Sequence, residues 1–228
     1  MSMGFPTMPG NEGVTVIGSR VPRDPMNHSQ GMVIETGLIA STAIDLYGGV
    51  DSKVIRPGTI MARIASSGKW TPVIAADILS VQAISSILVY VGVGMIGRFV
   101  AGQNVKIGKP GVDKIAAATE QDAGAILTVY PTSGTVAVTT GFISAVAVGD
   151  YLFVEPATAD GSGDGVAVLR EQVTLRNSAG AVIEDYGQLI VQGHVRSSQL
   201  LGLNARSFLT LAGQGVAIPV GLVIVDPV

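Results

Sequence analysis

The sequence predicts a mainly β fold: a compact β-barrel with one or two short helices. From residue 54 onward, short runs of β-branched and other apolar residues alternate with turn residues, which is the pattern of strands joined by tight turns. Three of these runs begin directly after a glycine, at Gly58, Gly102 and Gly149. Many short strands with glycine-rich turns are typical of a barrel or a sandwich.

Residues 1–53 are predicted to form an extended N-terminal arm. The segment is rich in Gly, Pro, Ser and Met, and its prolines interrupt any regular element before it can grow. Two short pieces, Gly13–Ile17 and Met32–Ile39, are β-prone, and we expect them to gain order by adding to the edge of a neighbouring sheet. A disordered terminus is the alternative interpretation.

The first predicted hairpin follows the arm. Side chains alternate along 59–64, with Ile60, Ala62 and Ile64 on one face of a strand. A turn at 65–68 leads into a returning strand, Lys69–Val73, which contains the only tryptophan of the chain, Trp70. We expect this indole to be a packing anchor for the barrel or for an interface, because single tryptophans usually serve burial.

Further hairpins and strands complete the predicted barrel. One hairpin joins Ala125–Tyr130 to Thr135–Thr140, and another joins Val173–Arg176 to Ala181–Glu184. The remaining predicted strands are Tyr151–Val154, Val166–Leu169, Gln188–Val195 and Val216–Val225, the last with Pro219 at an edge or bulge.

Two segments are predicted to be helical. Ala75–Leu88 has apolar residues partly in phase with a helical repeat. Ser198–Ala212 has the better pattern, with Ser197 or Ser198 as the N-cap and Gly213 as the stop signal. The expected apolar face of this second helix consists of Leu201, Ala205, Phe208, Leu209 and Ala212.

The composition restricts the possible functions. The 228-residue chain is 47% hydrophobic but only 14% charged, so we expect part of its apolar surface to be buried against copies of itself or a larger assembly. It has no cysteine and only two histidines, His28 and His194, which excludes thiolate metal sites and most histidine-dependent catalysis. A net charge of −3 without any basic run argues against a nucleic-acid-binding face.

A membrane-embedded surface is the alternative explanation for the apolar composition. Ile78–Gly97 contains no charged residue and has the length of a bilayer span. However, it includes several serines and glycines, and Ile87–Val93 is a β-prone run rather than a leucine-rich helix. Residues 1–10 lack the basic end and apolar core of a signal peptide. We therefore expect neither a membrane span nor signal-directed export.

Two blocks of the sequence carry a further pattern. In Arg56–Val73, Gly-Thr opens a hairpin that ends in Gly-Lys-Trp. In Tyr151–Leu169, continued by Gly187–Leu201, an aromatic-apolar strand leads into Pro-Ala-x-x-Asp-Gly, and the block ends in Gly-x-Val-Arg-x-x-x-Leu. These motifs resemble those of the lambda-type bacteriophage head decoration proteins, in which the two blocks are nearly contiguous. The resemblance assigns 54–73 and 149–228 to a decoration-type domain and 74–148 to an inserted β-rich lobe.

The resemblance implies a barrel or β-tulip-like domain that forms a homotrimer on the outside of the virion and stabilises the expanded capsid. Its partner would be the major capsid protein, it would be made in the host cytoplasm, and it would have no active site and no cofactor. A head fibre base or a tail component is the alternative phage structural role. The expected capsid contacts are Val14, Val16, Ile17, Val33 and Ile34, and the expected trimer-interface or core residues are Trp70, Tyr151 and His194.

The loop of the second block also allows a calcium-binding interpretation. Asp160–Glu171 fits the EF-hand loop, with Asp160, Ser162 and Asp164 at the first, third and fifth positions and Glu171 at the twelfth. Pro156 and the β-prone residues before it exclude the entering helix of an EF-hand. We therefore expect a solvated acidic turn, and a calcium-binding β module is the alternative.

Two other signals are weaker. Gly92–Gly97 has the glycine spacing of a dinucleotide-binding loop, but the uninterrupted helix and the acidic strand end that such a site needs do not follow it. The carboxylates of Glu155, Glu184 and Asp185 lie on predicted turns, where they serve solubility. His194 lacks a nucleophile or acid that the sequence could pair with it, so we expect a half-buried or interface histidine.

Overall fold

A computed structural model of the chain describes residues 32–45, 51–109, 120–155, 163–212 and 221–225. The fold is mainly β, as predicted, with a closed five-stranded barrel and a curled second sheet. The strands are β1 (Val33–Ile39), β2 (Val54–Ile55), β3 (Ile60–Arg63), β4 (Trp70–Pro72), β5 (Ala75–Asp77), β6 (Leu88–Tyr90), β7 (Asn104–Gly108), β8 (Gln121–Tyr130), β9 (Thr135–Val138), β10 (Tyr151–Val154), β11 (Gly165–Leu169), β12 (Val173–Thr174), β13 (Asp185–Arg196) and β14 (Gly221–Val225), with one α-helix, α1 (Ala205–Leu211).

The barrel consists of β1, β4, β3, β11 and β13 in that order around the sheet. It closes because β1 pairs on one side with β13 and on the other with β4, where Ile39 lies opposite Trp70. β14 extends the sheet by pairing in parallel with β13. The predicted hairpin of β3 and β4 is confirmed, with Met61 opposite Pro72 and Arg63 opposite Trp70.

The second sheet has the order β5-β10-β7-β8-β9-β6 and forms a curled lobe, called here the second lobe. It takes up Ala75–Val154, so it extends beyond residue 148, where the predicted insertion ends. The reason is that β10 (Tyr151–Val154) pairs with β5 on one side and with β7 on the other. The predicted hairpin of β8 and β9 is confirmed within this sheet.

Three apolar clusters stabilise the fold. One lies inside each of the two bodies, the barrel and the second lobe, and the third lies between them. The interior of the second lobe is lined by residues such as Val89, Val136 and Phe142. The barrel interior contains Met61, Trp70 and Leu189, among others. The third cluster joins the outer face of the barrel to β5 and β10, and its members include Ile60, Ala62, Val168, Ile190, Tyr151 and Phe153. Alternation along β3 therefore directs Met61 into the barrel and its neighbours Ile60 and Ala62 toward the second lobe.

The barrel accommodates Trp70 because two glycines face each other in neighbouring strands. Gly37 of β1 lies opposite Gly187 of β13. A Cβ on Gly37 would come within 2.3 Å of the indole nitrogen of Trp70, and a Cβ on Gly187 would come within 2.8 Å of Ile39 Cδ1. A five-stranded barrel has a narrow interior. The two missing side chains therefore supply the space that the indole occupies.

Three strands begin with the same kind of glycine turn. Gly58, Gly102 and Gly149 have φ of 82°, 90° and 92°, a conformation that favours glycine. In each case the next residue is a buried polar one whose side chain bonds back to the start of the turn. Thr59 Oγ1 donates to Arg56 O, Val100 N donates to Gln103 Oε1, and Ala147 N donates to Asp150 Oδ2, over 2.8, 2.9 and 2.9 Å. The repeated glycine in the sequence is thus a repeated strand start.

The N-terminal arm differs from its prediction. Val33–Ile39 is β1, a wall of the barrel, and it pairs with β13 of its own chain rather than with a neighbouring sheet. The pairing extends from Val33 to Ile39 and brings Leu189 of β13 opposite Glu35. Residues 33–39 are therefore part of the barrel and not of the extended arm that was predicted to end at residue 53. The other β-prone piece of the arm, Gly13–Ile17, lies outside the described residues.

One of the two predicted helices is present, and the other is not. Ala75–Leu88 contains β5 and the start of β6 instead of a helix, because its ends pair with β10 and β9. The second helix is shorter than predicted, Ala205–Leu211, and its N-cap is Asn204. The Asn204 side chain accepts from Ser207 N, while Ser207 Oγ accepts from Asn204 N. Its buried face is also different, since Phe208 is exposed and Leu211 is fully buried. Gly213 lies outside the described residues.

The late part of the chain follows the prediction in outline. The segment predicted as a hairpin at 173–184 has one isolated bridge, Arg176 to Val182, while β12 pairs with β2. The strands predicted at Gln188–Val195 and Val166–Leu169 are present as β13 and β11. The last strand, β14, is shorter than the predicted Val216–Val225, and Pro219 lies outside the described residues.

The glycine pair in the barrel predicts a specific stability effect. Gly37→Ala should lower the free energy of unfolding by about 1–3 kcal/mol, because the new methyl group overlaps the Trp70 indole. The measurement is urea unfolding followed by tryptophan fluorescence. Gly94→Ala is the matched control, since a Cβ there meets no atom within 4 Å and its change should stay within about 0.5 kcal/mol. Equal stability of the two variants would contradict the proposed packing.

Candidate interaction surface

One end of the second lobe carries no charge. Residues 78–97 and 123–149 contain no Asp, Glu, Lys, Arg or His. The fold brings these two separate segments together, since β6 pairs with β9 and β9 pairs with β8. Their loops are joined as well, through the bridge of Gln82 to Val146 and the bond from Ser85 N to Phe142 O. We call this part of the molecule the uncharged end.

The uncharged end exposes large apolar side chains. Isolated exposed apolar residues are normal on protein surfaces, but a concentration of them marks an interaction site. Ten of the sixteen large apolar side chains exposed in the described part of the chain belong to this end, and their exposed fractions reach 77% at Ile143. They are Leu79, Val81, Ile84, Ile87, Leu88, Val93, Leu127, Tyr130, Ile143 and Val148.

Strands β6, β9 and β8 give the uncharged end an ordered outer face. Cross-strand pairing forms two rows, Tyr130–Thr135–Tyr90 and Thr128–Ala137–Leu88. The alternate row of Val136 and Val89 is fully buried inside the lobe. We call the six residues of the two outer rows the β6–β9–β8 face. Its chemistry is apolar contact supplemented by tyrosine and threonine hydroxyls, without a group that could form an ion pair.

The residues of the predicted calcium loop do not come together. Asp164 and Glu171 flank the five-residue strand β11, which separates them by about 20 Å and prevents one ion from binding both. Asp164 Oδ1 instead accepts from Arg206 Nε at 2.8 Å. Asp160 and Ser162 lie outside the described residues. Within the described ranges, no group of three or more His, Asp or Glu residues has the geometry of a metal site.

The glycine loop at Gly92–Gly97 also lacks the context of a nucleotide site. The strand before it, β6, is antiparallel to β9, and the segment after it is a single 3-10 turn, Ile96–Arg98, rather than a helix. A dinucleotide fingerprint requires a parallel strand followed by an α-helix whose N-terminus binds the phosphates. Among the described residues, no helix combines the length and the apolar character that crossing a membrane would require.

A buried ion cluster lies at the junction of α1 with the two bodies. Arg206 of α1 is 3% exposed; its Nη1 donates to Glu120 Oε1 at 2.7 Å, and its Nε donates to Asp164. Its guanidinium carbon lies 3.4 Å from the centre of the Phe153 ring, and Tyr151 lies beyond at 5.8 Å. One arginine thus connects α1, the start of β11 and the residue before β8.

The burial of this cluster changes its protonation equilibria. Burial raises the pKa of Asp164 above its ordinary value of 3.8, and the charge of Arg206 offsets only part of that rise. Burial also raises the pKa of the Tyr151 hydroxyl. Because its charges already satisfy one another, the cluster is suited to holding the fold together rather than to acid–base chemistry.

A cavity of about 230 Å³ lies between the barrel and the second lobe. Its walls include Thr71 and Pro72 of β4 and Arg98 and Gln103 of the second lobe. Arg98 is buried and its Nη1 donates to Ala75 O at 2.7 Å, so this guanidinium links the 3-10 turn to β5. The cavity therefore belongs to the junction of the two bodies.

The residues proposed from the sequence as contacts lie in different environments. Trp70 is inside the barrel, Tyr151 is between the two bodies, and His194 is exposed on β13, so the three form no common surface. Val33 is exposed and Ile34 is half-buried on β1. Val14, Val16 and Ile17 lie outside the described residues. The uncharged end was missed, although one of its two segments, Ile78–Gly97, is visible in the sequence as a run without charge.

The ion cluster predicts a large effect of removing its cation. Arg206→Ala should lower the free energy of unfolding by about 3 kcal/mol, because Asp164 and Glu120 would remain buried without their shared partner. Chemical unfolding followed by circular dichroism measures the change. The control is Arg63→Ala, which removes an exposed arginine and should change stability by less than about 0.5 kcal/mol. A loss below about 1 kcal/mol for Arg206→Ala would contradict the role of the cluster.

The raised pKa of Asp164 predicts a pH dependence. A raised folded-state pKa means that the stability contributed by this group is present below pH 3.8 and is lost as the pH rises through the folded-state value. Asp164→Asn abolishes that loss. The melting temperature of the variant minus that of the wild type should therefore become more positive as the pH rises from about 4 to about 7. Thermal unfolding at both pH values measures the difference.

Asp51→Asn is the matched control for this experiment. The Lys53 backbone N–H lowers the pKa of Asp51, so its carboxylate contributes stability that is lost as the pH falls. Because that loss occurs below the ordinary value of 3.8, the melting temperature of this variant relative to the wild type should stay nearly constant between about pH 4 and pH 7. Parallel behaviour of the two variants would contradict the assignment at Asp164.

Comparisons of the chain with protein-family models, with curated proteins and with solved structures returned no match.

Proposed function

We propose that this chain is a structural protein of a bacteriophage virion, a trimeric decoration protein that binds the outside of the capsid and cements the expanded shell. The observation that carries the proposal is the uncharged end, where ten large exposed apolar side chains lie in two segments without charge. A surface of this kind lowers its free energy when another polypeptide covers it. The motifs of Arg56–Val73 and Tyr151–Leu201 supply the phage context by resemblance.

A decoration protein stabilises a shell by mass action. Each subunit that binds only the expanded lattice lowers the free energy of that lattice by RT ln(1 + [L]/Kd), and many equivalent sites add their effects. Such a protein needs rigid bodies and apolar contact surfaces rather than a catalytic cleft. The closed barrel is joined to the second lobe by a shared apolar cluster, which favours such a role.

The N-terminal segment provides the test of capsid binding. Deletion of residues 1–31 removes none of the described strands, so the truncated chain should retain its fold. If the arm contacts the shell, the truncation should weaken binding to expanded capsids at least tenfold, measured by co-sedimentation with purified heads of the parent phage. Circular dichroism and thermal unfolding provide the control for folding. Unchanged occupancy of expanded capsids by the truncated protein would count against the arm as the binding element.

The full-length chain tests the function itself. Co-sedimentation with expanded capsids, but not with unexpanded precursors, is the expected result. Electron microscopy of particles carrying the labelled protein should place the label over the shell. Labelling confined to the tail, or no binding to heads, would overturn the proposed decoration role.

A further inference from the structure

We infer that the partner of the uncharged end is a second copy of this chain, so that the β6–β9–β8 face and the apolar loops beside it form the contact between subunits. This inference rests on the proposed function as an assembling structural protein, and it names which surface makes the assembly. The argument uses the charge, the area and the chemistry of this end.

The absence of charge fits self-association. Near the axis of a symmetric oligomer the same residues from several copies come together, so a charge there would lie next to like charges. Residues 78–97 and 123–149 avoid this cost completely, although the whole chain has a net charge of −3. A different protein would offer the possibility of charge complementarity, which this end of the molecule does not use.

The exposed apolar area is sufficient for a stable contact. The ten large side chains have exposed fractions between 44% and 77%. Nine of the ten are Val, Leu or Ile, and at about 100 Å² for a fully exposed side chain of this kind they present roughly 550 Å² of apolar area. A specific interface buries about 800 Å² on each partner, of which about two-thirds is apolar in homodimers. The ten side chains therefore supply about the apolar area that a subunit contact requires.

The chemistry of the β6–β9–β8 face supports the same assignment. Tyr90 and Tyr130 lie at the two ends of one row, and tyrosine is enriched in interface cores because it combines apolar area with a hydroxyl. In the other row, Ala137 lies between Leu88 and Thr128. Ion pairs such as Lys69–Glu184 and Arg176–Asp51 lie outside this end.

The test measures the mass of the full-length protein in solution. Light scattering after size exclusion, at tens of micromolar protein, should show an oligomer for the wild type. Leu88→Lys and Tyr130→Lys should each weaken association at least tenfold, because they place like charges inside the contact. Both side chains are exposed, so thermal unfolding should show that the variants remain folded. Val182→Lys is the matched control, since Val182 has the same 44% exposure as Leu88 but lies in the barrel half of the chain, and it should keep the wild-type mass.

Several outcomes would overturn the inference: a monomeric wild type, a wild-type mass for both lysine variants at 88 and 130, or dissociation by the control alone. Binding of the wild type to phosphatidylcholine vesicles, lost in Leu88→Lys, would overturn it in favour of a lipid surface.

Co-sedimentation with capsids distinguishes a failure of this inference from a failure of the proposed function. Variants that stay oligomeric but no longer bind capsids would refute the subunit contact and retain the function. A wild type that forms the oligomer through this end but does not bind capsids would refute the proposed function and retain the subunit contact.

Discussion

The apolar cluster between the barrel and the second lobe is the contact on which the rest of the structure depends. Tyr151 and Phe153 of β10 pack against the outer face of the barrel, although β10 belongs to the other sheet. The ring of Phe153 also supports the guanidinium of Arg206, which holds α1 in place. A strand that is buried on both faces thus connects two cores and a helix, and the position of the uncharged end relative to the barrel follows from it.

Charge is distributed unequally over the molecule. The barrel and its junction contain ion pairs such as Arg56–Asp45 and Arg206–Asp164, which fix irregular segments against strands. The far part of the second lobe relies on backbone pairing, apolar packing and uncharged hydrogen bonds such as Gln82 to Ser80. One part of the surface is therefore stable in contact with water, and the other lowers its free energy when it is covered. The low content of charged residues in the chain is thus associated with one region of the molecule, the uncharged end.

Local features of the fold could be predicted from the sequence, and long-range ones could not. The hairpin at 60–72 and the hairpin around Gly134 follow from alternation and turn residues within a short segment. Closure of the barrel depends on β1 pairing with β13, which no local pattern specifies. The failed helix at 75–88 shows the same limit, because its apolar spacing fits a helix while its partners β9 and β10 lie far away in sequence. The uncharged end likewise arises only when two distant segments meet.

The closure of the barrel also sets an order for biosynthesis. β1 is among the first described elements to leave the ribosome, whereas its partner β13 is synthesised only after every strand of the second lobe. Nascent chains grow at about 5–20 residues per second, and domains fold as they are completed. All strands of the second lobe are therefore available for pairing before β13 emerges, whereas the barrel can close only after β13 has been synthesised.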